Sequence, residues 1–250
     1  MVYPTVKAEL AEDPAALERE LRIELAAAYR LADKFDMSEI INTHISLRVP
    51  GTTATFLLNP HGMLFSEITA SSLVKVDLQG NVVGESQYPV NRAGVAIHSA
   101  IQEARPDINC VFHTHTPYCT AVSSLECGLL PMSQAALQFY GQLAYHDYGR
   151  AASDPAERAA LQHDIGDSWY MLMRNHGALT LGKTVGQAFM AAYYLEKACQ
   201  FQVLAQSTGQ PLIMTPEDTR ERSDPSRRGE ERAWPGLLRL LDRKDPSYRD

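Results

Sequence analysis

The stretch Val111-Phe112-His113-Thr114-His115 constrains this chain more than any other. The apolar run Ile108-Asn109-Cys110-Val111-Phe112 reads as a buried strand, and two histidines one residue apart close it. Side chains at i and i+2 of a strand share a face, so both imidazoles converge while Thr114 turns away. Catalytic metal centres usually draw three protein ligands and keep one position open. A third histidine stands in Arg174-Asn175-His176-Gly177, after the apolar run Trp169-Tyr170-Met171-Leu172-Met173. Two neighbouring strands ending at one height would bring His176 to the pair. The expected metal ligands are therefore His113, His115 and His176. The plain alternative is three hydrogen-bonded histidines unrelated to any ion.

The rest of the chain supplies a frame for such a site. Asp13-Pro14 is an N-cap followed by proline at the first helical position. Leu17, Leu21, Leu25, Ala28 and Leu31 then recur at helical spacing to about Lys34. Thr43–Val49 alternates, turns at Pro50-Gly51, and is answered by Ala54–Asn59, a strand-turn-strand signal. Val74–Leu78 and Val82-Val83 flank Gln79-Gly80-Asn81 as a hairpin. Helices are expected from Asn91 to Ala104, Thr116 to Glu126, Ser133 to Phe139, Asp154 to Ile165 and Thr184 to Ala205. Further strands fall at Gln142–His146, 169–174 and Ala178–Leu181. Interleaved helices and alternating strands imply an α/β domain, with helices covering a mainly antiparallel sheet. From Thr215 the composition turns to Asp, Glu, Arg, Ser and Pro. That divides the chain into a body, 1–214, and a C-terminal arm, 215–250, whose apolar patch Trp234–Leu241 docks on its own or a neighbouring subunit.

Bulk properties exclude several functions. The formal charge is −7 with both signs mixed along the chain, which argues against nucleic-acid binding. Residues 1–13 carry Lys7, Glu9, Glu12 and Asp13 and lack the apolar core of a signal peptide. There is no apolar run of roughly 18 residues to span a membrane. The four cysteines, Cys110, Cys119, Cys127 and Cys199, have no CxxC spacing and read as reduced, cytoplasmic packing residues.

Taken in order, several segments resemble the class II aldolase/adducin family. They are His44-Ile45-Ser46-Leu47-Arg48, Asn59-Pro60-His61-Gly62, Ala70–Val74, Tyr88–His98, Ala104–Asp107, His113-Thr114-His115 and Arg174–Gly177. The likeness runs from about Ala15 to Leu212, and the tail from Trp234 to Tyr248 is similar to adducin-type bacterial members. The resemblance implies a three-layer α/β/α fold and a homotetramer with sites at subunit borders. It also implies a divalent metal on His113, His115 and His176, with zinc first and Fe(II) or manganese as alternatives.

Departures from the family pattern narrow the chemistry. Sugar-phosphate aldolases of the family place a glutamate near the metal, and the matching position here is Gly94. Their phosphate cradle falls on Thr43-His44, His61-Gly62 and Arg92-Ala93, which differ in type. Their tyrosine donor falls near Gln134. Substrate contacts are therefore expected from His44, His61, Gly62, Asn91 and Arg92. Candidate acids and bases are His98, Glu67 and Tyr140. Each has a plainer role as well: a core histidine, a turn cap and a packed ring. An ion held by neutral imidazoles stabilises the charge left by C–C cleavage, and loss of CO2 needs no base to begin. The expected function is thus a metal-dependent lyase acting on a small unphosphorylated carboxylate or keto acid. Two alternatives stand beside it, an iron oxygenase that removes carbon oxidatively from aryl acids and a non-enzymatic adducin-like binding module.

Overall fold

The computed structural model describes residues 13–49, 55–149, 154–221 and 233–250. The N-terminal stretch, the turn at Pro50-Gly51, Ala54 and residues 222–232 of the arm lie outside the described residues. Helix α1 (Pro14–Lys34) starts where expected, because the Asp13 carboxylate accepts from the backbone N–H of Ala15 and Ala16 at 3.0 and 3.2 Å. Such a cap is worth about 1 kcal/mol. The helix buries Leu25, Ala28, Leu31 and Ala32 on one face.

Seven strands follow: β1 (His44–Arg48), β2 (Thr55–Leu58), β3 (Val74–Asp77), β4 (Cys110–Thr114), β5 (Leu143–His146), β6 (Tyr170–Met173) and β7 (Gly177–Gly182). They form one sheet in the order β3-β2-β1-β4-β7-β6-β5. Each neighbouring pair is antiparallel except β5 and β6, which run parallel. The Val82-Val83 half of the expected hairpin is reduced to a single bridge between Val82 and Val76. The intervening helices are α2 (Arg92–Ala104), α3 (Pro117–Ser123), α4 (Gln134–Leu137), α5 (Pro155–Ile165) and α6 (Val185–Gln206).

Strand alternation sorts the side chains into the two outer layers. On β4, Cys110 and Phe112 pack with α1 and α6, while Val111 packs with Ile97 and Ile101 of α2 and with Leu161 and Ile165 of α5. On β6, Tyr170 and Leu172 face α3 and α6, and Met171 faces α2 and α5. This is the three-layer arrangement that alternating patterns imply, with a mainly antiparallel sheet between two helical layers. Period-2 geometry then sends His113, two residues after Val111, to the α2 face. His44 and Ser46 leave β1 on the same face, opposite Ile45 and Leu47.

Beyond residue 215 the chain forms α7 (Glu217–Glu221) and α8 (Trp234–Lys244). The Trp234 ring is buried against Phe189 of the same chain, with centroids 5.4 Å apart. Arg30 of α1 pairs with Asp245 at 3.2 Å, and the carbonyls of Tyr248 and Asp250 accept from the backbone N–H of Ala70 and Ser71. No described helix is long and apolar enough to cross a membrane.

Candidate metal centre

Three imidazoles meet where β4 and the β6–β7 turn end. His113 is the last but one residue of the buried strand β4, and His115 follows just beyond the strand end. His176 is not carried by a strand adjacent to β4, as the sequence suggested. β7 lies between β4 and β6, and His176 sits on the three-residue turn that joins β6 to β7. Asn175 makes that turn by adopting φ +57°, a left-handed conformation that asparagine tolerates better than most residues. The β4–β7 register, Thr114 opposite Ala178, then brings the turn beside His115.

The Nε2 atoms of His113 and His115 are 3.0 Å apart, and those of His115 and His176 are 2.9 Å apart. One candidate ligand atom from each of the three histidines lies within 4.8 Å of the others. Hydrogen bonds on the far nitrogens fix what these atoms present. His113 Nδ1 faces the carbonyl of Ala178 at 3.1 Å, and His115 Nδ1 faces the Glu39 carboxylate at 2.7 Å. Both partners only accept, so both Nδ1 atoms carry the hydrogen, and in the neutral form of each ring Nε2 presents a bare lone pair. Two lone pairs 3.0 Å apart repel unless a cation lies between them. A tetrahedral ion with Zn–N bonds of about 2.0–2.1 Å separates its ligand nitrogens by about 3.3 Å, a few tenths more than here. The donor set therefore fits a divalent cation.

Burial favours the neutral form of His113 and His176. It pushes the His113 imidazole well below its ordinary pKa, helped by neighbouring His44, His176 and His115. His176 is lowered to about 4, first by burial and then by His115 and His146. Protons thus compete weakly for the nitrogens of His113 and His176 near neutrality.

Sequence reasoning missed Glu39. It stands on the loop between α1 and β1, 76 residues before His115, and no periodicity marks it. Its neighbour Ile40 adopts φ +51°, a genuine outlier for a β-branched residue, so local strain adjoins the residue that aims a ligand. Partners of this kind, bonded to the far nitrogen of a ligating histidine, are typically worth 10–100-fold in affinity. Glu39→Ala is expected to weaken metal binding by about that factor in a chelator competition. Unchanged affinity would remove Glu39 from this role.

The other candidates divide. His44 pairs with His113 across β1 and β4 and stacks on it, with centroids 5.2 Å apart and planes 23° apart. His98 is fully buried, with Nε2 3.2 Å from His44 Nδ1 and Nδ1 2.6 Å from Ser46 Oγ. His61 and Gly62 are exposed and join the start of α2 through a Pro60–Val90 bridge and a His61 N–H donated to Pro89. Arg92 is exposed beside them, and the Asn91 side chain caps α2 by accepting from Ala93 and Gly94. Glu67 and Tyr140 do not join the histidines through any hydrogen bond or ring contact described here. The Glu67 carboxylate accepts from Leu64 N–H in its own turn, and Tyr140 is exposed at the end of α4. A pocket of about 120 Å³ opens beside His176, bordered by Ile97, His146, Glu157 and Arg174. His146 lies between two carboxylates, Glu157 at 2.9 Å and Asp164 at 2.8 Å.

Gly94 has a local reason to be glycine. A Cβ there would lie 2.7 Å from Cδ2 and 2.9 Å from Nε2 of His44. The imidazole occupies the space that a side chain at 94 would need.

Neutral buried histidines also set an acid limit on the fold. The His98 pKa is lowered to about 3 by burial, against about 6.5 when unfolded. Between those values the unfolded chain binds more protons, so stability present above pH 6.5 is lost as pH falls. His98 alone should remove about 2 kcal/mol from the metal-free protein between pH 6.5 and 5. Urea melts at the two pH values check this, and a smaller loss is expected in His98→Asn.

A helix-flanked antiparallel sheet whose rim gathers three imidazoles defines a layered α/β protein with a candidate cation site. A sequence model of the class II aldolase and adducin N-terminal domain matches residues 23–203, and the chain belongs to that family. It is 45% identical to an aldolase II superfamily protein from Pseudomonas syringae, with a TM-score of 0.88 over 93% of this chain and 96% of that one. It is 29% identical to the L-fuculose 1-phosphate aldolase of Glaciozyma antarctica PI12, with a TM-score of 0.87 over 99% of this chain and 97% of that one. Rat alpha-adducin is 42% identical over 245 residues, 90% of this chain and 33% of adducin, so the likeness spans about a third of that relative.

Proposed function

We propose that this protein is a metal-dependent C–C lyase acting on a small unphosphorylated carboxylate or keto acid. The observation that carries this reading is the convergence of the Nε2 atoms of His113, His115 and His176, beside a position 94 that holds no carboxylate. Zinc is the first expectation for the ion, from the all-imidazole donor set. When bound, such a cation supplies Lewis acidity to a carbonyl or carboxylate oxygen and steadies the charge left by C–C cleavage. Decarboxylation suits a site without a base at 94, because the departing CO2 leaves its electron pair behind and no proton is removed first. Arg92 supplies a guanidinium fork of the kind that grips a carboxylate, with His61 on the same rim. The assembly proposed is a homotetramer, with residues 1–214 as its body and 215–250 as an arm.

The test is a panel of keto and aromatic acids, followed for CO2 release by zinc-, iron- and manganese-loaded protein, with sugar phosphates alongside. Turnover of a carboxylate is expected. Efficient cleavage of sugar phosphates with inert carboxylates would overturn the substrate class, and oxygen uptake with the iron form would favour oxidative chemistry. The likeness to adducin supports a second reading, a non-enzymatic binding module. That reading gains if every metal form is inert.

A further inference from the structure

A run of buried hydrogen bonds leads from the sheet interior to His44, and its direction follows from donor and acceptor counts. Gln102 Nε2 lies 3.1 Å from the Asn109 carbonyl and 3.3 Å from Ser46 Oγ. Turning the amide over would set its oxygen against that carbonyl, so Nε2 donates to both. Ser46 Oγ therefore accepts from Gln102, and its own hydrogen has one remaining acceptor among the described residues, His98 Nδ1 at 2.6 Å. The opposite direction would leave a buried hydroxyl hydrogen unpaired, which is unfavourable. With Nδ1 accepting, neutral His98 carries its hydrogen on Nε2 and donates it to His44 Nδ1 at 3.2 Å. His44 then carries its hydrogen on Nε2, the atom that faces the space left by Gly94. Ser46, His98 and Gln102 are at most 1% exposed and His44 is 3% exposed, so water does not compete for these bonds.

We propose that His44 is a fixed neutral hydrogen-bond donor whose Nε2–H meets an oxygen of a carboxylate-bearing ligand at the metal site, with Gln102, Ser46 and His98 as its positioning residues. It is then neither a fourth metal ligand nor a base. The stack on His113 holds the ring beside the three candidate ligands, and glycine at 94 spares its Nε2 edge the clash that a Cβ 2.9 Å away would make. A preorganised donor in a water-poor site stabilises negative charge at little reorganisation cost. The ligand class rests on the lyase reading above, whereas the tautomer assignment does not.

The experiment is nitrogen-15 spectroscopy of histidine side chains in the full chain at pH 7.5, metal-free and then zinc-loaded with oxalate. His44 and His98 are both expected as Nε2–H tautomers. Oxalate is expected to shift the His44 Nε2–H resonance. Ser46→Ala should release the tautomers of both rings, and Ser46→Thr should restore them. An Nδ1–H or doubly protonated His44 overturns the assignment. An unmoved Nε2–H resonance at saturating oxalate, or no oxalate binding, overturns the donor role. If the tautomers hold and oxalate shifts His44 while no carboxylate turns over, the lyase reading fails and the donor assignment stands. With a confirmed substrate, His44→Phe should lower kcat by about 10²–10³-fold, the usual loss for one such donor, with metal content unchanged.

Discussion

His113→Ala is expected to strip the protein of tightly bound metal while the sheet stays folded. His113 is the most buried of the three candidate ligands: it lies within β4, and its Nδ1–H is committed to the Ala178 carbonyl. Removing it leaves His115 and His176 alone, because the Nδ1 of the neighbouring His44 ring is already engaged with His98. The loss in affinity should exceed the roughly 10–100-fold typical of outer-shell partners. The fold should survive because the ring is buried neutral and the backbone pairing of β4 with β1 and β7 does not need it. Dialysis followed by elemental analysis, with circular dichroism as the control for folding, distinguishes ligand loss from unfolding. Full metal retention in the variant would mean that the ligands have been wrongly identified.

Gly177→Ala should damage both the fold and the site. Gly177 opens β7 immediately after His176, and its backbone lies against β4. A Cβ at this position would overlap the carbonyl oxygen of Thr114 and lie 3.1 Å from His115 Cδ2. The first obstacle is backbone and cannot rotate away, so β7 must move outward from β4. That displacement strains the Thr114–Ala178 pairing and pulls His176 from His115. Overpacking of this kind costs about 1–3 kcal/mol and occasionally more. We expect about 3 kcal/mol, which in a chain of this size lowers Tm by about 6–12 °C. Metal affinity should fall together with stability. A variant that melts within about 2 °C of the parent and keeps its metal would show that this close approach does not hold the site together.

What could be read from the sequence was the chemistry that repeats with strand or helix period. His113 and His115 were legible because i and i+2 must share a face. Helix α1 was legible because Asp13-Pro14 marks its start and leucines mark its buried side. His176 was legible as a candidate ligand but not in its placement, since nothing in an apolar run shows which strand lies next to it. Glu39 was hidden because it comes from a loop, and its meaning depends on a contact with a residue far along the chain. Gly94 was visible as a missing carboxylate. That the His44 ring fills the gap follows from the pairing of β1 with β4, which only the folded chain displays. Glu67 and Tyr140 were chosen for residue type alone, and the fold uses one to close a turn and leaves the other at the end of a short helix.

The central claim is that His113, His115 and His176 hold one divalent cation, and calorimetric titration of metal-free protein with zinc at pH 7.5, in buffers of different ionisation enthalpy, tests it most directly. One ion per chain should bind with almost no proton release, because burial has already deprotonated His113 and His176. Absence of a stoichiometric site, or release of close to one proton for each ligand, would contradict it.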